Sequence, residues 1–243
     1  MKKLPGYEDL RLGYVRARML ATIVSERWIV NPKKNADRSH LIAEWDFESP
    51  IEKQRHARIL SALKEKIGGE HWGDALEVGC AEGSFTKELA KRCHSVTAWD
   101  LSPVACSRAK KRLAPCKNVF VEERDIAHDH IEAKFDLLFA MEVLSYFHGW
   151  NQIQKIVNKL CGALRPGGFL LVDEVKLPAE FEGTWWSRWF GEGGTRKIAY
   201  ISQIPGMNLI HQEIYDAPTY QTIIVVFEKR NAQAVTGGTP FSQ

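Results

Sequence analysis

Leu76–Phe85, LEVGCAEGSF, is the stretch that decides the fold. A short apolar run carries an acid, Glu77, and ends in Gly79, with a second glycine, Gly83, four residues further on. Thr86, Lys87, Glu88, Leu89 and Ala90 then continue in helical composition. The pattern predicts a strand, a tight turn and a helix start, with glycines that let the backbone come close to a ligand. The spacing Gly79-x-x-x-Gly83 is not the G-x-G-x-x-G of a dinucleotide pyrophosphate site, which weakens an NAD-dependent oxidoreductase reading. A single glycine turn also reads as an ordinary strand–helix connection, and only the order of the later strands and acids separates the two.

His94–Asp100 (HSVTAWD) is a short strand ending in an acid. Asp100 falls roughly 20 residues after the turn, where an acid meets a ribose hydroxyl in a βαβ unit. A carboxylate can accept from both hydroxyls of one ribose. Ser102-Pro103 reads as a helix N-cap with proline at the first helical position. Asn118–Glu123 is a third strand, left through Arg124-Asp125-Ile126, and Phe135–Val143 (FDLLFAMEV) is a fourth. Leu164–Val172 (LRPGGFLLV) is a Pro-Gly-Gly turn running into a fifth. This rhythm predicts an α/β fold, with parallel strands and helices on both faces. Leu209–Ala217 and Tyr220–Lys229 read as a closing antiparallel hairpin, turned at Asp216, Ala217 and Pro218.

The ordered set E-x-G-x-x-x-G, D-x-S-P, D-I, F-D-L-L and L-R-P-G-G resembles class I S-adenosylmethionine-dependent methyltransferases, from about Trp72 to Arg230. Within that class, GCAEG and the upstream Trp45-Asp46-Phe47-Glu48, Glu52 and Arg55 resemble the NodS-like group of small-molecule N-methyltransferases. Many members of the class carry an extra glycine inside the first turn, where this chain has Ala81. The resemblance implies a Rossmann-like fold, with a mostly parallel seven-stranded sheet, an antiparallel last strand and an N-terminal helical cap. It implies S-adenosylmethionine as the methyl donor and S-adenosylhomocysteine as the product. Glu77, Gly79, Cys80, Ala81 and Gly83 would then form the amino-acid and ribose pocket. Asp100 would bind the ribose hydroxyls, with Leu101 beside the adenine. Asp125 would accept from the adenine amino group, with Ile126 against the ring, and Met141 and Glu142 would sit near the methionine end or the acceptor. Asp100 could also be a helix-capping acid, and Asp129, Glu122 and Glu123 compete with Asp125.

At 243 residues the chain can bury a full core. The expected organisation is a helical cap or lid over residues 1–70, a cofactor-binding domain over 71–230 and a disordered tail over 231–243. The net charge of +3 does not by itself imply a nucleic-acid partner. Cys80, Cys93, Cys106, Cys116 and Cys161 show no metal-ligand spacing. An odd cysteine count and a start (MKKLPGYEDL) without an apolar run point to reduced thiols in a cytoplasm. No run is long enough to span a membrane.

Three parts stand outside the nucleotide fold. Residues 8–30 read as an amphipathic helix, with Leu12, Val15, Met19, Ile23 and Ile29 on roughly one face. Residues 31–48 read as a polar loop containing Trp45 and Phe47, and Ser49-Pro50-Ile51-Glu52 as a capping box opening a helix to about Ile67, ended by Gly68-Gly69. By the resemblance such helices cover the cofactor; otherwise they pack on the sheet edge. Residues 176–207 form an aromatic insertion with Phe181, Trp185, Trp186, Trp189 and Phe190, expected as a long loop or short helix. It reads equally as an acceptor wall, a core helix or a dimer contact.

Methyl transfer from a sulfonium is an in-line displacement, so the protein must align a nucleophile and remove its proton where it has one. Candidate residues lie at the strand ends that face the ligand crevice: Glu142, Tyr146 and His148 after the fourth strand, Glu174 after the fifth and His211 in the sixth. Each has a structural alternative: Glu142 as a helix cap, Tyr146 as core, His148 as a surface residue, Glu174 facing away from the pocket and His211 facing solvent. The acceptor expected is a small molecule, with methylation at nitrogen or oxygen. The rivals are an RNA or tRNA methyltransferase using Lys2, Lys3, Arg11, Arg16, Arg18, Lys33, Lys34 and Arg38, and a non-catalytic S-adenosylmethionine-binding subunit. A homodimer is compatible with the aromatic segment.

Overall fold

The computed structural model describes residues 36–37, 47–69, 71–147, 149–176, 193–216 and 221–231. The expected helix over 8–30, Trp45, His148, the aromatics of 181–190, the Ala217-Pro218 turn and the tail beyond Asn231 lie outside the described residues, as does the basic set from Lys2 to Arg38.

In chain order the elements are α1 (Pro50–Ile67), β1 (Trp72–Val78), α2 (Ser84–Ala90), β2 (Cys93–Asp100), α3 (Pro103–Arg112), β3 (Val119–Glu123) and β4 (Phe135–Met141). A 3-10 turn (Leu144–Tyr146), α4 (Trp150–Ala163), β5 (Leu164–Val175), α5 (Gly193–Gln203), β6 (Met207–Asp216) and β7 (Gln221–Lys229) follow among the described residues. The strands form one seven-stranded sheet in the order β3-β2-β1-β4-β5-β7-β6. The β1–β2, β1–β4, β2–β3 and β4–β5 pairs are parallel, and β7 runs antiparallel to both neighbours. This is the Rossmann-like arrangement the sequence predicts. The order reverses between β1 and β4, and a sheet of this kind opens its ligand crevice at that point, beyond the carboxyl ends of the strands.

Two apolar layers hold the sheet. On one face α1 and α2 bury Ile59, Leu63, Phe85 and Leu89 against Leu137, Phe139, Leu171, Ile224 and Val226. On the other, α4 buries Ile153, Ile156, Val157, Leu160 and Cys161, a helical stripe, against Leu138, Leu170 and Val172 together with Ile198 and Ile201 of α5. The Ser49 hydroxyl accepts from Glu52 N at 3.2 Å, with Pro50 at the first helical position, so α1 starts as its capping sequence predicts. It stops at Gly68, which has φ +70°.

Three details differ from expectation. Ala36 and Asp37 are helical, within a stretch read as loop. The second half of the 176–207 insertion is the helix α5, one of the forms expected there, whose Ile198 and Ile201 join the core, but β6 begins two residues earlier than read. The Pro-Gly-Gly turn is absorbed into β5: Leu164 pairs with Phe135, then Phe169 with Leu137, a bulge that takes up the extra residues. Gly168 sits there because a Cβ would lie 2.8 Å from the carbonyl oxygen of Asp136.

Candidate active site

The turn after β1 is shaped by backbone constraints. Gly79 has φ +75°, and a Cβ on it would lie 2.3 Å from Val143 Cγ2. Gly83 has φ +79°, and its Cβ would lie 2.7 Å from Leu113 Cδ1. Ala81 between them takes φ +48°, a left-handed conformation that favours glycine. Gly79 N and Cys80 N both donate to Trp99 O of β2, at 2.8 and 2.9 Å. Cys80 is buried, and burial first, then Glu77 and Asp100, raises its thiol pKa.

Asp100 is the joint of the turn. Its Oδ2 accepts from Ala81 N and its Oδ1 from Ser102 N, each at 2.8 Å. Ser102 in turn caps α3, accepting from Ala105 N, and donates to Asp37 at 2.5 Å. Leu101, beside it, is half-buried. Under the turn, Glu77 is buried and accepts from Thr86 Oγ1 at 2.6 Å. Burial raises its pKa to about 7; the Thr86 hydrogen bond opposes the rise and Asp100 adds to it.

Asp125 holds a local turn: its Oδ1 accepts from Ala127 N at 2.9 Å and its Oδ2 pairs with His128 Nδ1 at 2.7 Å. Ile126 is 5% exposed and packs into the core cluster with Trp99. The arrangement leaves Asp125 at the rim and Ile126 largely inside.

A second polar cluster lies where α1 crosses the ends of β4 and β5. Arg55, on α1, donates from one terminal nitrogen to Asp173 Oδ2 at 2.5 Å and Glu142 Oε1 at 3.2 Å, and from the other to Glu52 Oε2 at 2.5 Å. Burial opposes its charge, but Glu142, Asp173 and Glu52 outweigh burial and hold the guanidinium above its usual range. Asp173 is fully buried, and its Oδ1 has no hydrogen-bond partner among the described residues. Its burial, with Glu142 nearby, pushes its pKa up to about 7 against the opposing pull of Arg55. Thr222 of β7 faces the same carboxyl. Tyr215, at the end of β6, donates to the Ile51 carbonyl oxygen at 3.2 Å and completes this wall.

Glu142 comes directly after Met141 at the end of β4 and has φ +54°, a strained position for a residue with a side chain. Its N–H donates to Asp173 O at 2.6 Å. Tyr146 is 63% exposed on the short 3-10 turn.

Two expected catalytic residues are placed elsewhere. Successive strand residues point to opposite faces, so Glu174 lies across the sheet from Asp173. It is fully buried and bound to Lys197 Nζ at 2.5 Å, Ser145 Oγ at 2.5 Å and Leu144 N at 3.0 Å. His211 pairs with Val226, which also pairs with Leu171, so it sits mid-strand below the crevice. It lies near Glu65 of α1 rather than at a strand end. Sequence reasoning missed Asp173 and Tyr215. Asp173 is the other half of the Asp-Glu pair ending β5, and only the facing of that strand distinguishes the two. Among the described residues no His, Cys, Asp and Glu cluster is arranged to hold a metal. No helix there is long and apolar enough to cross a membrane.

The family model described as nodulation protein S (NodS) matches residues 37–178. Nodulation protein S of Rhizobium tropici is 34% identical over 125 residues, 51% of this chain and 50% of that protein. The Sinorhizobium fredii protein is 31% identical over 121 residues, 50% of this chain and 55% of its own length. The chain thus spans about half the length of the curated relatives it matches. Among solved structures, the N-methyltransferase NodS of Bradyrhizobium japonicum with S-adenosylhomocysteine superposes with a TM-score of 0.72 at 23% identity, covering 83% of this chain and all of that one. Magnesium protoporphyrin IX methyltransferase from Synechocystis, with bound S-adenosylmethionine, gives a TM-score of 0.64 at 15% identity over 84% and 99% of the two chains. At these identities the structural matches establish the fold.

Proposed function

Because the chain belongs to the nodulation protein S family, we propose that it binds S-adenosylmethionine at the Asp100 crevice and methylates a nitrogen of a small molecule. The observation that carries the donor site is Asp100 bridging Ala81 N and Ser102 N. Each oxygen of a carboxylate has two lone pairs, so an Asp100 oriented by these amides can also accept from ribose hydroxyls. The tight turn at Gly79 and Gly83 brings backbone amides to the donor's polar end. Ser84 Oγ bonding to Phe47 O, and Ser102 bonding to Asp37, support the stretch before α1 as a cover over this corner.

The acceptor reading rests on the Arg55 cluster. Three carboxylates, Glu52, Glu142 and Asp173, surround one guanidinium. Even with Asp173 protonated, Glu52 and Glu142 outnumber the one guanidinium, and an excess of negative charge favours a protonated amine over a neutral hydroxyl. Glu142, the most exposed of the three, holds the ammonium and accepts its proton, freeing the lone pair. When bound, the sulfonium supplies an activated methyl group: the amine forms a new N–C bond as the C–S bond breaks, and that electron pair stays on sulfur. The remaining work is alignment, which can supply up to ~7–11 kcal/mol.

The test has two steps. Calorimetry with S-adenosylhomocysteine on wild type and Asp100→Ala should show binding that collapses in the variant; no wild-type binding would defeat the methyltransferase reading. Label transfer from S-adenosylmethionine to primary amines, glucosamine included, and to matched alcohols should favour amines and fall sharply in Glu142→Gln. Turnover of alcohols alone would overturn the nitrogen assignment. An RNA substrate is a second reading, favoured by Lys53, Lys64, Lys87 and Arg92 lining a groove between α1 and α2. Glu48 and Glu88 line the same groove and pair with Lys53 and Arg92, which lowers its net charge. A salt-sensitive RNA mobility shift would support that reading.

A further inference from the structure

The methyl-transfer chemistry leaves unexplained a buried charge pair on the far side of β5. Glu174 and Lys197 are both fully buried, with Lys197 Nζ 2.5 Å from Glu174 Oε2. The Glu174 carboxylate also accepts from Leu144 N (3.0 Å) and Ser145 Oγ (2.5 Å), and Lys197 Nζ donates to that same hydroxyl at 3.1 Å. Every one of these bonds reaches the segment just after Glu142. We propose that Glu174 and Lys197 are positioning residues that clamp residues 142–147 at the methionine end of the donor site.

Glu142 is held in a left-handed conformation that its side chain disfavours. Such strain persists only where the surroundings over-determine it. One restraint is the bond from Glu142 N to Asp173 O. Beside that bond and the Arg55 contact to its side chain, the Leu144 and Ser145 bonds to Glu174 restrain the residues that follow. Adjacent residues of one strand therefore grip the loop, Asp173 by its main chain and Glu174 by its carboxylate. An apolar residue at 174 would fill the space without fixing Leu144 and Ser145, because dispersion contacts lack the direction of charge-assisted hydrogen bonds. Lys197 supplies the counter-charge a buried carboxylate requires. Its aim is set by close seating of α5, since a Cβ on Gly194 would lie 3.1 Å from both Glu174 Cβ and Val175 O. Glu174 thereby acts through the loop rather than on the reacting atoms.

This inference rests on the donor site proposed above, and the experiment separates the two. Wild type, the charge-balanced Glu174→Gln/Lys197→Met double variant and the milder Ser145→Ala are titrated with S-adenosylhomocysteine and with adenosine, which lacks the methionine end. The double variant should bind S-adenosylhomocysteine ~10-fold or more weakly, adenosine within about twofold of wild type, and Ser145→Ala should fall between. On ligand-free protein, amide exchange in residues 142–147 should accelerate while β1 and β7 amides keep their protection. Equal weakening of both ligands, or exchange in 142–147 that stays at the wild-type rate, would overturn the clamp. Should wild type bind neither ligand, the donor site is wrong, and the exchange measurement alone decides whether Glu174 and Lys197 hold the loop. Should the double variant not fold, the graded effect of Ser145→Ala on exchange decides it.

Discussion

At the scale of single residues, the first turn joins two left-handed positions of opposite tolerance. Gly79 has a positive φ and no room: a methyl there meets Val143 at 2.3 Å. Ala81 has a positive φ of 48° and already carries its methyl. Left-handed backbone costs an L-residue roughly 1–2 kcal/mol, and glycine gives back part of that through its unfolded-state freedom. Ala81→Gly should therefore leave stability within about 1 kcal/mol of wild type and binding of S-adenosylhomocysteine within about twofold. Gly79→Ala should abolish that binding and lower the melting temperature, because either Val143 or the turn has to move. Thermal unfolding and calorimetry on the two variants check the pair; a Gly79→Ala protein that binds normally would show that the turn does not touch the ligand. The place of Asp100 at a strand end beside the turn was legible for a local reason: a strand end, a short spacing and a capping serine are all written within a few residues. Which of Asp173 and Glu174 faces Arg55 of α1 was not, since adjacent strand residues are equivalent until the facing of β5 is known.

At the scale of elements, α1 is the part that packs the N-terminal side of the described chain onto the sheet. Its capping box and terminal glycines mark its ends in the sequence, because both signals are local. Its docking is longer in range: Ile59 and Leu63 are fully buried against Leu171, Ile224 and Val226, while Arg55 reaches the ends of β4 and β5. Leu63→Ala should cost ~2–5 kcal/mol, the transfer of a buried leucine plus the cavity it leaves. Denaturant unfolding measures this, and a cost well under ~1 kcal/mol would mean that α1 rests on the sheet without packing into it. A helix was one of the forms expected for the segment carrying Lys197, but its bounds were not legible beside the aromatics that dominated the reading. His211 lies in the sixth strand as read, but its level there depends on β6 pairing with β7, and a bulge between Leu209 and His211 shifts that register. Local signals mark the elements, whereas their mutual levels depend on pairings made over long range.

At the scale of the whole molecule, the buried ionisable groups set how stability responds to pH. Glu77 and Asp173 both have pKa values raised to about 7 in the fold, from ordinary values of 4.5 and 3.8. Each therefore contributes stability that is present in full below its unfolded value and is lost as pH rises through about 7. His56 behaves oppositely: burial, with Arg55 beside it, lowers it to about 4, and its contribution is present above 6.5 and lost as pH falls. Asp74, held down to about 2 by His94, Ser95 and Arg165, likewise loses its contribution in acid. The groups facing these sites are Arg55 and Glu52 on α1, Glu142 after β4, Thr222 on β7, and Thr86 and Asp100 around Glu77. Between about pH 5 and 8 the two acids lose more than His56 regains, so stability falls across that range. The ligand-free protein should accordingly be most stable near about pH 5, lose melting temperature most steeply approaching about pH 7 and level off above about pH 8. Glu77→Gln should flatten that fall and raise the melting temperature at about pH 8, since a neutral amide avoids the buried charge. Melting scans across the range decide it: a wild-type profile that rises or stays level from about pH 5 to 8 would mean that neither acid takes up a proton on folding.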